Sequence, residues 1–243
     1  MLLHRSVFAS PEGWLAFIVI VFLYVVRRTA RSGEAFPWLY YLFFVSGFPA
    51  LIYQIVWERA LFTIYGVNIQ SVTVVVTGFL LGLGLGSLVG GRLSRVPNIP
   101  LLALFGMAEL GTALFGIFSL SLFHRVAIFT AGSAALEAGL VSFALVVIPT
   151  MLMGSTLPLL TAHMVRLSWN VGRSVGMLYV ANTLGSAAAC FVAAALTMRI
   201  FGQSGSVAMA VALNTVIGAG VLALFRSRWA PSLAGTADRK SVV

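Results

Sequence analysis

Apolar residues fall in long unbroken runs separated by short clusters of charge, and this alternation is the main structural signal in the chain. A hydrocarbon layer about 30 Å thick takes about 20 residues of α-helix at a rise of about 1.5 Å each. Runs of that length recur at roughly 8 to 26, 37 to 57, 71 to 91, 99 to 122, 139 to 160, 176 to 196 and 205 to 225. They far exceed the roughly 9 to 11 alternating residues of a membrane barrel strand. The pattern therefore predicts an all-α, polytopic transmembrane bundle of about seven helices. The first run is the weakest, with its continuous apolar part from Trp14 to Val26 and with Pro11 and Glu12 at its start. It begins late, ends in Arg27 and Arg28 and precedes no small-residue cleavage site, so it reads as a retained helix and not as a secretory leader.

Composition agrees. The 243 residues are 60% hydrophobic and only 9% charged, with mean hydropathy +1.03, which excludes a water-soluble domain. The 24 glycines and 8 prolines would interrupt helices in water, yet both are frequent in membrane-spanning ones. Net charge is +9, but the basic residues sit singly or in pairs between apolar runs and not along one face, so nucleic-acid binding is not expected. Counted on alternate sides of seven spans, Arg27, Arg28, Arg31, Arg92, Arg95, Arg166, Arg173, Arg226, Arg228, Arg239 and Lys240 oppose Arg5, Arg59, Arg125 and Arg199. Basic loops stay in the cytoplasm, which sets the N-terminus outside and the C-terminus inside the cell's cytoplasmic membrane. The one cysteine, Cys190, lies within an apolar run and has no partner for an internal disulfide.

Small and polar residues then mark particular faces. Gly78, Gly82, Gly86 and Gly90 recur every fourth residue, a bare stripe that lets another helix approach closely. The plain reading is an internal packing seam; the sharper one is a dimer face or a sliding contact. The stretch Gly82-Leu-Gly84-Leu-Gly86 lies inside a span with no strand before it, so it is not a dinucleotide loop. A second small stripe, Ala181, Gly185, Ala189 and Ala193, runs beside Asn182 and Thr183. Asn182 either bonds a neighbouring backbone or faces a hydrated cavity, and Asn214 raises the same question. Only six acidic residues are present, and Glu109 is the deepest of them. It is the candidate proton or cation site. Asn182, Thr183, Gln54, Glu58 and Arg59 are further candidates for a substrate or ion pathway, with Glu58 and Arg59 reading first as an interfacial ion pair next to an expected break at Pro49. The histidines, His4, His124 and His163, are scattered, and no zinc motif, paired-cysteine pattern or nucleophile elbow occurs. No enzyme activity, metal or cofactor is expected.

Four stretches together carry a resemblance. They are Phe43-Phe-Val-Ser-Gly-Phe-Pro-Ala-Leu-Ile-Tyr-Gln-Ile-Val-Trp-Glu-Arg59, Gly82-Leu-Gly-Leu-Gly-Ser-Leu-Val-Gly-Gly-Arg-Leu93, Pro149-Thr-Met-Leu-Met-Gly-Ser-Thr-Leu-Pro158 and Gly176-Met-Leu-Tyr-Val-Ala-Asn-Thr-Leu-Gly185. In this order they resemble the membrane domain of the spermidine-synthase-like membrane proteins, over roughly residues 37 to 225. That family joins a major-facilitator-like module to a cytoplasmic aminopropyltransferase, whose glycine-rich loop and catalytic carboxylates have no counterpart among these residues. The segment from Gly86 to Arg95 also resembles the loop motif of a major-facilitator half, without its usual acidic residue.

The apolar runs and the charge pattern set one N-terminal helix with a basic loop (1-36) and a short basic cytoplasmic tail (226-243) around a six-helix module (37-225), which the resemblance makes a major-facilitator-like half. The expected function is a non-enzymatic membrane module, half-transporter-like or an accessory subunit of a membrane complex. The alternative is the membrane anchor of a separately encoded aminopropyltransferase. Expected partners are the lipid bilayer and either further copies of the chain or other membrane subunits, because a six-helix half seldom encloses a substrate path alone.

Overall fold

The computed structural model describes residues 37–65, 68–130, 135–168 and 170–237, together with the isolated positions Ile20 and Tyr24. The expected first span, 8 to 26, lies outside the described residues. Helices α1 (Pro37–Tyr65), α2 (Asn68–Leu93), α3 (Leu101–Phe129) and α4 (Ala135–Ser168) follow in order. Helix α5 runs from Val171 to Ile200 through a π-helical turn at Ala193–Thr197, and α6 is Gly202–Ala237. Among the described residues there is no strand, and all six helices are long and apolar enough to cross a bilayer.

Most helices extend past the minimum span, so Glu58, Arg59, Arg125, Arg166 and Arg199 stand on helices and not in loops. Nor is α1 broken at Pro49, since its helix continues to Tyr65. Helix α6 likewise continues through 226–237, where the sequence suggested only a tail. Two tight reversals use left-handed backbone: Asn98 (φ 58°) between α2 and α3, and Gly202 (φ 62°) between α5 and α6. At the start of α5 the side chain of Asn170 accepts a hydrogen bond from the Arg173 backbone N–H at 3.0 Å, which caps the helix.

The helices pair across the bundle, not in chain order. The main neighbours are α2 with α4, α3 with α6, α1 with α5, then α3 with α4 and α1 with α6, and more weakly α1 with α2 and α4 with α5. Exchanging α1, α2 and α3 for α4, α5 and α6 returns the same set of neighbours. Because each triplet has three crossings, the second passes through the layer in the opposite sense to the first, an inverted repeat.

The repeat holds at single residues. Gly47 on α1 lies against α5, where an added Cβ would come 2.6 Å from the Asn182 carbonyl oxygen, and Gly154 on α4 lies in the same way against the carbonyl of Leu83 on α2. Gly185 and Gly86 reciprocate, with added Cβ atoms overlapping the carbonyls of Phe44 and Met151. Ser186 Oγ donates to the Gly47 carbonyl at 3.2 Å, and Ser87 Oγ to the Gly154 carbonyl at 3.1 Å. The glycine stripe of α2 is filled along its length by α4, whose Val146, Thr150, Met151 and Ser155 back onto Gly78, Gly82, Gly86 and Gly90.

Two apolar clusters divide the interior. One gathers Leu39, Phe43, Phe44, Phe105, Leu160 and Leu178; the other gathers Ile52, Trp57, Val75, Phe123, Val146 and Ala193. On α1, α3, α4 and α6 the stretch between the two clusters carries polar residues, and there the candidate site lies, with Asn182 and Ser186 of α5 beside it.

Candidate functional site

Between the clusters, residues from all six helices line a partly open cavity of about 110 Å³. Its polar lining is Ser46 and Gln54 from α1, Glu109 and Thr112 from α3, Thr156 from α4, Asn182 and Ser186 from α5, and Asn214 from α6. The space is large enough for a few waters or a small ion, and too small for an extended organic substrate.

Glu109 is the central group. It is only 4% exposed, and its Oε1 accepts a hydrogen bond of 2.6 Å from Ser46 Oγ, which ties α3 to α1. The other hydroxyl protons are also taken within the protein: Thr112 Oγ1 donates to the Ala108 carbonyl at 2.9 Å, Thr156 Oγ1 to Met153 at 2.6 Å, and Ser186 Oγ to Gly47 at 3.2 Å. Such back-bonding leaves each hydroxyl oxygen with lone pairs and no spare proton. Asn214 Oδ1 is buried without a hydrogen-bond partner, although its side chain lines the cavity. No lysine, arginine or histidine is among the lining residues. The cavity thus sets one carboxylate among hydroxyl oxygens whose protons are already used and three side-chain amides, which offer oxygens as well as N–H groups.

The structure brings together four of the residues singled out from sequence: Glu109, Asn182, Gln54 and Asn214. It does not bring in Thr183, which points to the outside of the bundle. Glu58 and Arg59 open instead on a separate recess with Phe62, Ala194, Met198 and Arg199, beside the π-turn of α5. Ser46, Thr112, Thr156 and Ser186 were not singled out, because isolated hydroxyls are common in apolar helices and satisfy themselves locally. One signal was available for Ser186: Leu184-Gly185-Ser186 repeats Leu85-Gly86-Ser87 on the equivalent helix.

Next to the cavity, Tyr53 stacks on Trp57 with ring centroids 5.1 Å apart, and Phe79, Phe115 and Phe123 surround the indole. This block of rings closes the end of the bundle nearer Glu58.

Taken together, these features define a multi-pass membrane protein with a small polar cavity between two apolar clusters. The chain matches no known family model, no curated protein and no solved structure.

Proposed function

We propose that this chain is a non-enzymatic membrane module built like half of a transporter, which works paired with a second copy or with another membrane subunit. The observation that carries this reading is the pairing of two inverted three-helix units around a polar cavity. In secondary transporters, substrate and ion sites lie near mid-membrane at the interface between such repeats. The six-helix half seen in major-facilitator proteins has the same number of helices, in line with the motif from Gly86 to Arg95. The module sits in the cytoplasmic membrane with its basic loops inside.

Native mass spectrometry of the protein extracted in mild detergent tests the pairing, and solute uptake into liposomes tests the activity. A dimer, or a defined complex with a second membrane protein, is the expected result. A monomer that carries no solute would overturn the proposal, and co-purification of a soluble aminopropyltransferase would replace it with the anchor reading.

A further inference from the structure

The inverted repeat supplies its own control for the cavity, because each lining position has a counterpart in the other triplet. Ser46 directly precedes Gly47, and at the equivalent place Met153 precedes Gly154. Asn182 stands three residues before Gly185, where Leu83 stands three before Gly86. The third pair is fixed by Gly106 and Gly218, which face each other across α3 and α6. Three residues after them come Glu109 and Val221, and four before them come Leu102 and Asn214.

At all four positions one triplet is polar and the other apolar. The helix packing is the same on both sides, so packing is met by Met153, Leu83, Val221 and Leu102 and does not call for Ser46, Asn182, Glu109 and Asn214. All four polar members line the one cavity. A buried carboxylate without a positive partner costs several kcal/mol, and an amide oxygen without a donor adds to that. A proton on Glu109 would neutralise the charge, yet it would leave Asn214 Oδ1, which finds no donor among the neighbouring amides and hydroxyls, still unpartnered. A cation shared among these oxygens serves all of them at once.

We propose that the cavity is a binding site for one small monovalent cation, held by the Glu109 carboxylate and by neutral oxygens of Asn214, Thr112 and the neighbouring polar side chains. One carboxylate balances one positive charge, and divalent calcium is ordinarily held by several carboxylates. The cavity of about 110 Å³ has room for a sodium, potassium or ammonium ion. This inference deepens the transporter-like reading, since it names what the site takes.

Thermal unfolding of the purified full chain in detergent provides the test, with sodium, potassium or ammonium chloride replacing N-methylglucamine chloride at constant ionic strength. Ligand that binds only the folded state raises Tm saturably. At least one small cation is expected to do so while N-methylglucamine does not. Glu109→Gln keeps the shape and is expected to weaken the apparent affinity on the order of 100-fold, as for a buried pair stripped of one charge. Asn214→Leu copies the residue that the other triplet carries and is expected to weaken it on the order of tenfold. Thr183→Ala, outside the cavity, is expected to behave as the parent. No saturable rise with any of the three ions overturns the proposal, as does an equal rise with N-methylglucamine or an undiminished rise in Glu109→Gln. Should Glu109→Gln not fold, an undiminished rise in Asn214→Leu is the overturning result. Binding is read here without flux or partner, so its failure leaves the pairing experiment standing, and the reverse holds too.

Discussion

Gly106 and Gly218 meet face to face where α3 crosses α6, and a Cβ added to either would lie within about 3 Å of the other's carbonyl oxygen, at 3.0 and 2.8 Å. Such reciprocity marks the axis that relates the two triplets. Away from it, Gly86 and Gly185 make one contact twice, once on each side.

That equivalence makes the glycine seams testable as a pair. Gly86→Leu and Gly185→Leu would each drive a side chain into the backbone of the facing helix, at Met151 and Phe44. Overpacking of this kind costs about 1 to 3 kcal/mol, and more where rigid backbone is struck. Both variants are expected to lower Tm markedly in detergent, and Gly82→Leu, which meets Thr150, to do the same. Gly84→Leu faces open space and is expected to leave Tm unchanged. Equal stability of Gly84→Leu and Gly86→Leu would contradict the seam.

Proline chemistry accounts for one link between α2 and α4. Pro158 has no N–H, so the Gly154 carbonyl one turn earlier loses its usual helical donor. Ser87 Oγ supplies a replacement at 3.1 Å. Ser87→Ala is expected to cost about 0.6 kcal/mol, up to about 1.7, the range of interhelical hydrogen bonds in membranes. In a Pro158→Ala background the backbone donor returns, and the same substitution is expected to cost less. A double-mutant cycle measured by unfolding in mixed micelles reads the difference, and strict additivity would remove the link.

The proposed orientation, with the basic loops inside, is testable at two exposed positions. Arg166 Nη2 donates to the Ser94 carbonyl at 3.0 Å, which joins the α4 end to the α2–α3 turn on one side of the bundle. With Cys190 replaced by alanine, Val96→Cys is expected to react with a membrane-impermeant thiol reagent only in inside-out vesicles. Thr63→Cys, at the opposite end, is expected to react only in right-side-out vesicles. The reverse pattern would turn the topology over.

Because hydropathy and helix length are local properties that need no partner, sequence alone marked the six described segments that are helical and long enough to span a bilayer, though not the extension of α6 past 225. It also marked the four-residue glycine spacing of α2 as a close-approach face and Glu109 as the costliest residue to leave unpartnered. Which faces meet was decided only by tertiary structure. Asn182 and Thr183 are neighbours in sequence, but at about 3.6 residues per turn they project about 100° apart, so one reaches the cavity and the other faces outward. Gln54 and Glu58 are one turn apart on α1, yet they serve different recesses, because α1 leaves the central layer between them. The inverted repeat was hidden for a related reason. Its two triplets share backbone contacts at a few glycines and serines, and such contacts constrain so few side chains that the sequences have diverged nearly everywhere else.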